Sequence, residues 1–128
     1  MTTTQVRNDG LLRFALKLDG VASGGLGVLA LLFDIPTGLP RGLVIGLGVF
    51  LVAYGVGVFL LGLRPIRPLV AVVVIGNSVW VLDSLLTAFA GWFPMTGLGV
   101  LLVVAQAVAV AGFITLQVLG LRRSGQPA

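Results

Sequence analysis

Four long apolar stretches, 11–33, 42–63, 69–90 and 97–121, dominate the chain, and only a few residues of turn chemistry part each from the next. Each has the ~20 residues an α-helix needs to cross ~30 Å of hydrocarbon at ~1.5 Å rise per residue. Strands are excluded, because isolated strands leave backbone groups unsatisfied in lipid and no stretch alternates as a membrane barrel strand does. The breaks run from Asp34 to Pro40, from Arg64 to Pro68 and from Gly91 to Thr96. Each contains proline, which stops one helix or opens the next, and none is long enough for a soluble domain. The pattern predicts an all-α protein, a four-transmembrane-helix bundle of up-down topology forming a single integral membrane domain, 1–128. Thr2 to Asp9 reads as a polar tail with Asn8 and Asp9 placed as helix N-caps, and Ser124 to Ala128 as a frayed end.

Composition sharpens this. Of the 128 residues, 58% are hydrophobic and 9% charged, with a mean hydropathy of +1.15. A soluble domain carries about a quarter charged residues, so this chain lacks the polar surface to cover a soluble globule. The absence of cysteine and histidine removes disulfides, thiolate chemistry and the usual metal ligands, and no cofactor or metal is expected. Glutamate is absent too, leaving Asp9, Asp19, Asp34 and Asp83 as the acidic side chains.

Enzyme chemistry fits poorly. Ser23, Ser78 and Ser84 have no histidine to activate them, and Lys17 is the only lysine. Asp19 and Asp83 differ in depth by roughly 6 to 8 Å, too far to share a proton. The Gly24-Gly25-Leu26-Gly27 cluster follows no strand, so it is helix packing and not a phosphate loop.

Charge carries topology. Arg7, Arg13, Lys17, Arg64, Arg67, Arg122 and Arg123 gather at one end of the predicted bundle, with Arg41 alone at the other. The positive-inside rule then puts both termini in the cytoplasm, for a multi-pass protein of the cell inner (plasma) membrane. The net charge of +4 follows from this asymmetry, so the lipid bilayer, and no nucleic acid, is the expected partner. Lys17 and Asp19 interrupt the apolar run that a cleavable signal peptide requires. Trp92 and Phe93 belong to an aromatic belt at the opposite boundary.

A weak internal repeat appears when the chain is shifted by 58 residues. Pro36 then meets Pro94, Leu61-Gly62-Leu63-Arg64 meets Leu119-Gly120-Leu121-Arg122, and Asp19 faces Asn77. This describes a parallel repeat of two helical hairpins about an axis along the membrane normal.

Glycines define the packing faces. Gly48, Gly55 and Gly62 recur at seven-residue intervals, and Gly20, Gly24 and Gly27 share one side of the first segment. Small residues at this spacing let helix backbones approach closely where lipid supplies no hydrophobic contrast. Contacts within the chain come first; a homo-oligomer or a larger membrane complex is the other use of the same faces.

Polar side chains within the spans are the functional candidates, because each costs roughly 2.5 to 3.5 kcal/mol to insert. Asp19 and Asn77 form one tier, about 12 Å in from the end bearing the termini, and Asp83 and Gln106 a second tier nearer the other end. On the third segment Asn77, Trp80, Asp83, Ser84 and Thr87 fall within an arc of about 120° that should face protein or water. On the fourth, Gln106, Phe113 and Gln117 align. The sharper reading is a proton or cation path through Asp83 with Gln106 and Asp19 with Asn77. The plainer one is interhelical glue, in which Asp83 bonds Gln106 and Asp19 pairs with Arg64 or Arg122.

The runs Leu11-Leu12-Arg13-Phe14-Ala15-Leu16-Lys17-Leu18-Asp19-Gly20, Gly76-Asn77-Ser78-Val79-Trp80 and Gly120-Leu121-Arg122-Arg123 resemble a group of small bacterial four-span integral membrane proteins. The resemblance covers nearly the whole chain and implies the fold but no activity. Size and span number are also similar to the small multidrug transporters, but those depend on a membrane glutamate that is missing here; the phenylalanine-rich motifs of the fluoride channels are missing too. The expected role is non-enzymatic: a structural or accessory membrane subunit acting through helix–helix contacts. The alternative is a proton- or cation-coupled small transporter or channel using Asp83 and Asp19.

Overall fold

In a computed structural model, which describes residues 9–124, four helices make up the protein: α1 (Gly10–Leu32), α2 (Arg41–Leu63), α3 (Arg67–Phe89) and α4 (Gly97–Ser124). All four are long and apolar enough to span a membrane. They run alternately up and down, so α2, α3 and α4 begin where their predecessors end. Arg7 and Asn8 lie outside the described residues. Asp9 precedes α1 but makes no side-chain cap; its carboxylate pairs with Arg13 one turn on, at 3.2 Å. Ser124, expected in a frayed end, still belongs to α4, where its hydroxyl donates to the Leu121 carbonyl.

The packing is uneven around the ring. Helix α1 lies close to both α2 and α4, α3 lies close to α4, and α2 meets α3 at only a few positions. The α1–α2 contact is backbone against backbone. A methyl group on Gly20 would stand 2.7 Å from the Gly55 carbonyl oxygen, and one on Gly27 would stand 2.7 Å from that of Gly48. One on Gly55 would stand 2.6 Å from the Gly24 nitrogen, and Gly62 seats the stem of Lys17. Gly20, Gly27, Gly48, Gly55 and Gly62 of the expected packing face therefore point between two helices of the same chain, whereas Gly24 offers only its backbone to Gly55 and a methyl on it would meet nothing within 4 Å. Gly120 does the same for α4, where a methyl would press on the Leu12 backbone at 2.6 Å.

At the end bearing the termini, Leu12, Leu16, Val58 and Val70 close into a dry core with Leu121 against it. The opposite end is tied by its loops. Thr96 caps α4 by accepting the Gly99 N–H at 3.0 Å and donates its own proton to the Pro36 carbonyl, while its N–H reaches Thr37. Gly38, at φ +89°, turns the chain tightly beneath that contact. The two loops share one bond 58 positions apart, a short turn about Pro36 from Thr37 N–H to Ile35 and about Pro94 from Met95 N–H to Phe93, both 2.8 Å. Arg41 is no stray charge: its guanidinium donates to the carbonyls of Ala30, Leu31 and Phe33, closing the C-terminus of α1.

Candidate functional site

Asp19 sits two residues from Val21, the middle of α1, and is completely buried. All four helices reach it. Ser23, one turn along α1, donates to Oδ1 at 3.0 Å. Asn77 of α3 and Gln117 of α4 donate to Oδ2 at 3.0 and 2.8 Å. The hydroxyl of Tyr54 of α2 stands 3.0 Å from the same oxygen. No cation joins the cluster; the one ion pair among the described residues is Arg13 with Asp9. The expected pairing of Asp19 with Arg64 or Arg122 is therefore corrected. Those arginines are exposed at helix ends, whereas the Asp19 side chain points to the bundle axis.

The protons of the cluster can be counted. Turning either amide over would set oxygen against oxygen around Asp19, so their orientation is fixed by their neighbours. The Tyr54 hydroxyl has one hydrogen and two acceptors, Asp19 Oδ2 and the Asn77 amide oxygen, the latter at 2.7 Å. It donates to one of the two at a time. Tyr54 to Asn77 is also the one side-chain hydrogen bond across the sparse α2–α3 seam among the described residues.

Above this cluster, on the side away from the dry core, lies a cavity of about 290 Å³. Ser23, Tyr54 and Asn77 form its floor and Gln106 stands opposite. Phe50 stacks on Tyr54 at 6.0 Å and on Trp80 at 6.1 Å between ring centres, which walls the cavity across the α2–α3 seam; Phe113 of α4 also lines it.

The second polar tier differs from expectation. Gln106 accepts from the Trp80 indole N–H at 2.7 Å and donates to Ser84 at 2.9 Å and to the Val103 carbonyl at 2.8 Å. Asp83 is exposed and, among the described residues, joins no hydrogen bond or ion pair, so it is not Gln106's partner. The reason is rotational. At about 100° per residue, Asn77 and Ser84 fall at one edge of the polar arc on α3 and Asp83 at the other. The first edge faces the bundle and the second turns out of it. Thr87 is half-buried and belongs to neither cluster.

Two members of the cluster were outside the expected set. Tyr54, the only tyrosine, stands in mid-helix and not at a boundary, where tyrosines collect. Gln117 was aligned with Gln106 by spacing, and that alignment was the available signal.

Comparison with protein-family models, with curated proteins and with solved structures found no match. The likeness to small bacterial four-span proteins gains no support from them, and the role of the chain rests on the geometry around Asp19.

Proposed function

We propose that this chain is a small, non-enzymatic, proton-coupled membrane carrier in which Asp19 holds the transported proton. One observation carries this: a carboxyl group at mid-span, fully buried, in hydrogen-bond contact with side chains from all four helices and with no cation among them. Intramembrane carboxyl groups of this kind mark proton relays. The adjoining cavity is the substrate space, and the distribution of lysine and arginine supports cytoplasmic termini in an inner (plasma) membrane.

The test is reconstitution of the pure protein into liposomes holding a pH-sensitive dye. Proton movement is expected with the wild type and with Asp83→Asn, and at least tenfold less with Asp19→Asn. Equal movement with Asp19→Asn, or none with the wild type, sinks the proposal.

A second reading, an accessory subunit acting through helix–helix contacts, is favoured by Asp83. An exposed carboxyl within a span calls for a covering helix from another copy or a larger complex. Stoichiometric co-purification lost on Asp83→Leu supports it; an unchanged monomer opposes it.

A further inference from the structure

The hydrogen-bonding groups around the cavity above Asp19 are unequally spent. Every side-chain N–H on its walls has a partner: Trp80 donates to Gln106, the Gln106 amide donates to Ser84 and Val103, and the Asn77 amide donates to Asp19 and Gln117. The hydroxyls of Ser23 and Tyr54 are turned to Asp19 and Asn77. What is left over is lone pairs, because a hydroxyl or amide oxygen can accept two hydrogen bonds. Gln106 Oε1 accepts one, from Trp80 at 2.7 Å, and alone among the side-chain acceptors on the walls it stands outside the Asp19 cluster. Its orientation is fixed, since turning the amide over would set N–H against the Trp80 N–H and oxygen against the Val103 carbonyl.

This imbalance selects a ligand. A charged group would find no opposite charge, because no acidic or basic side chain among the described residues lines the cavity and Asp19 lies behind Ser23, Tyr54 and Asn77. A pure acceptor, such as a ketone or an ether, would set lone pair against lone pair. A neutral donor fits, since its O–H supplies the hydrogen that Gln106 Oε1 can still accept. The rest of the wall is apolar, and the rings of Phe50, Trp80 and Phe113 offer faces to an aromatic body. The volume of about 290 Å³ is roughly twice the ~150 Å³ that admits one benzene ring. We propose that the cavity is a binding site for an uncharged aromatic alcohol of the phenol class, one or two rings in size, whose hydroxyl donates to Gln106 Oε1. As a binding site it stands without the carrier reading; as the carrier's substrate class it rests on that reading.

Trp80 holds the same oxygen and therefore reports on the site. The whole protein with Trp92→Phe, in lipid nanodiscs at pH 6, leaves Trp80 as the sole tryptophan. Three brominated probes, which quench indole on contact, differ in one group: 4-bromophenol carries the donor, 4-bromoanisole keeps the oxygen without its hydrogen, and 4-bromotoluene keeps only the shape. Saturable quenching by 4-bromophenol is expected, with an affinity, referred to probe concentration in the lipid, about fivefold above either of the others. Gln106→Met keeps the volume, removes the acceptor and frees the Trp80 N–H. Either probe oxygen then accepts from that N–H, so the preference for 4-bromophenol over 4-bromoanisole should vanish while 4-bromotoluene stays weakest.

Equal affinity for 4-bromophenol and 4-bromotoluene in the parent protein, an unchanged preference for the phenol in Gln106→Met, or quenching that never saturates overturns the proposal. Should Gln106→Met fail to fold, the ranking of the three probes in the parent protein decides. Phenol binding without proton movement in liposomes sinks the carrier and leaves the site. Asp19-dependent proton movement with no preference for the phenol sinks the site and leaves the carrier.

Discussion

The two hairpins of this bundle share a plan and differ in what separates their helices. Helices α1 and α2 touch through glycine, at Gly20, Gly24 and Gly27 against Gly48 and Gly55. Shifted by 58 residues, those positions become Ser78, Leu82 and Leu85 against Gln106 and Phe113. Helices α3 and α4 are accordingly joined by side chains, chiefly Gln106 to Trp80 and Ser84. The first hairpin is held by backbone contact at these glycines. In the second hairpin Leu82 and Leu85 are exposed, while Gln106 and Phe113 line the cavity. In this molecule packing surface and site surface are alternative uses of equivalent positions.

The comparison can be broken most severely at Gly55. Gly55→Leu drives a side chain into the α1 backbone and should remove about 3 kcal/mol or more of stability. Gly112→Leu in the second hairpin, where a first side-chain carbon meets nothing within 4 Å, should stay within about 0.5 kcal/mol of wild type. Unfolding in mixed detergent micelles measures both, and equal losses would end the contrast.

A smaller effect tests the link between hairpins. Tyr54→Phe removes the hydroxyl that joins α2 to α3 and should cost about 0.6 to 2 kcal/mol in the same assay. It should also lower proton movement in liposomes severalfold while the α1–α2 glycine contact stays intact; unchanged transport would detach Tyr54 from the proton site. The smallest effect is expected at the loop. Arg41→Ala frees three carbonyls at the end of α1 and should lower stability by about 0.3 to 1 kcal/mol with no change in transport.

The four spans and their glycine faces were legible because hydropathy and seven-residue spacing are local properties of each helix. Asp19 with Asn77 was legible as well, from depth and from their equivalence at 58. Tyr54 and Gln117 were not, because membership of the cluster depends on how α2 and α4 are rotated against their neighbours. A 120° arc also has two edges, and α3 turns only one inward; that is why the pattern admits Asp83 on equal terms with Ser84. Arg41 carries a charge that sequence counts towards topology, while its partners lie across a turn eight to eleven residues back.

The convergence of four helices on Asp19 also sets an order of events during synthesis. Asp19 leaves the ribosome 35 residues ahead of Tyr54, 58 ahead of Asn77 and 98 ahead of Gln117. When the first hairpin has been made, its carboxyl group has a hydroxyl on either side and neither amide. A nascent first hairpin is therefore marked as unfinished by a half-satisfied acid at mid-span, and arrival of the second hairpin erases the mark.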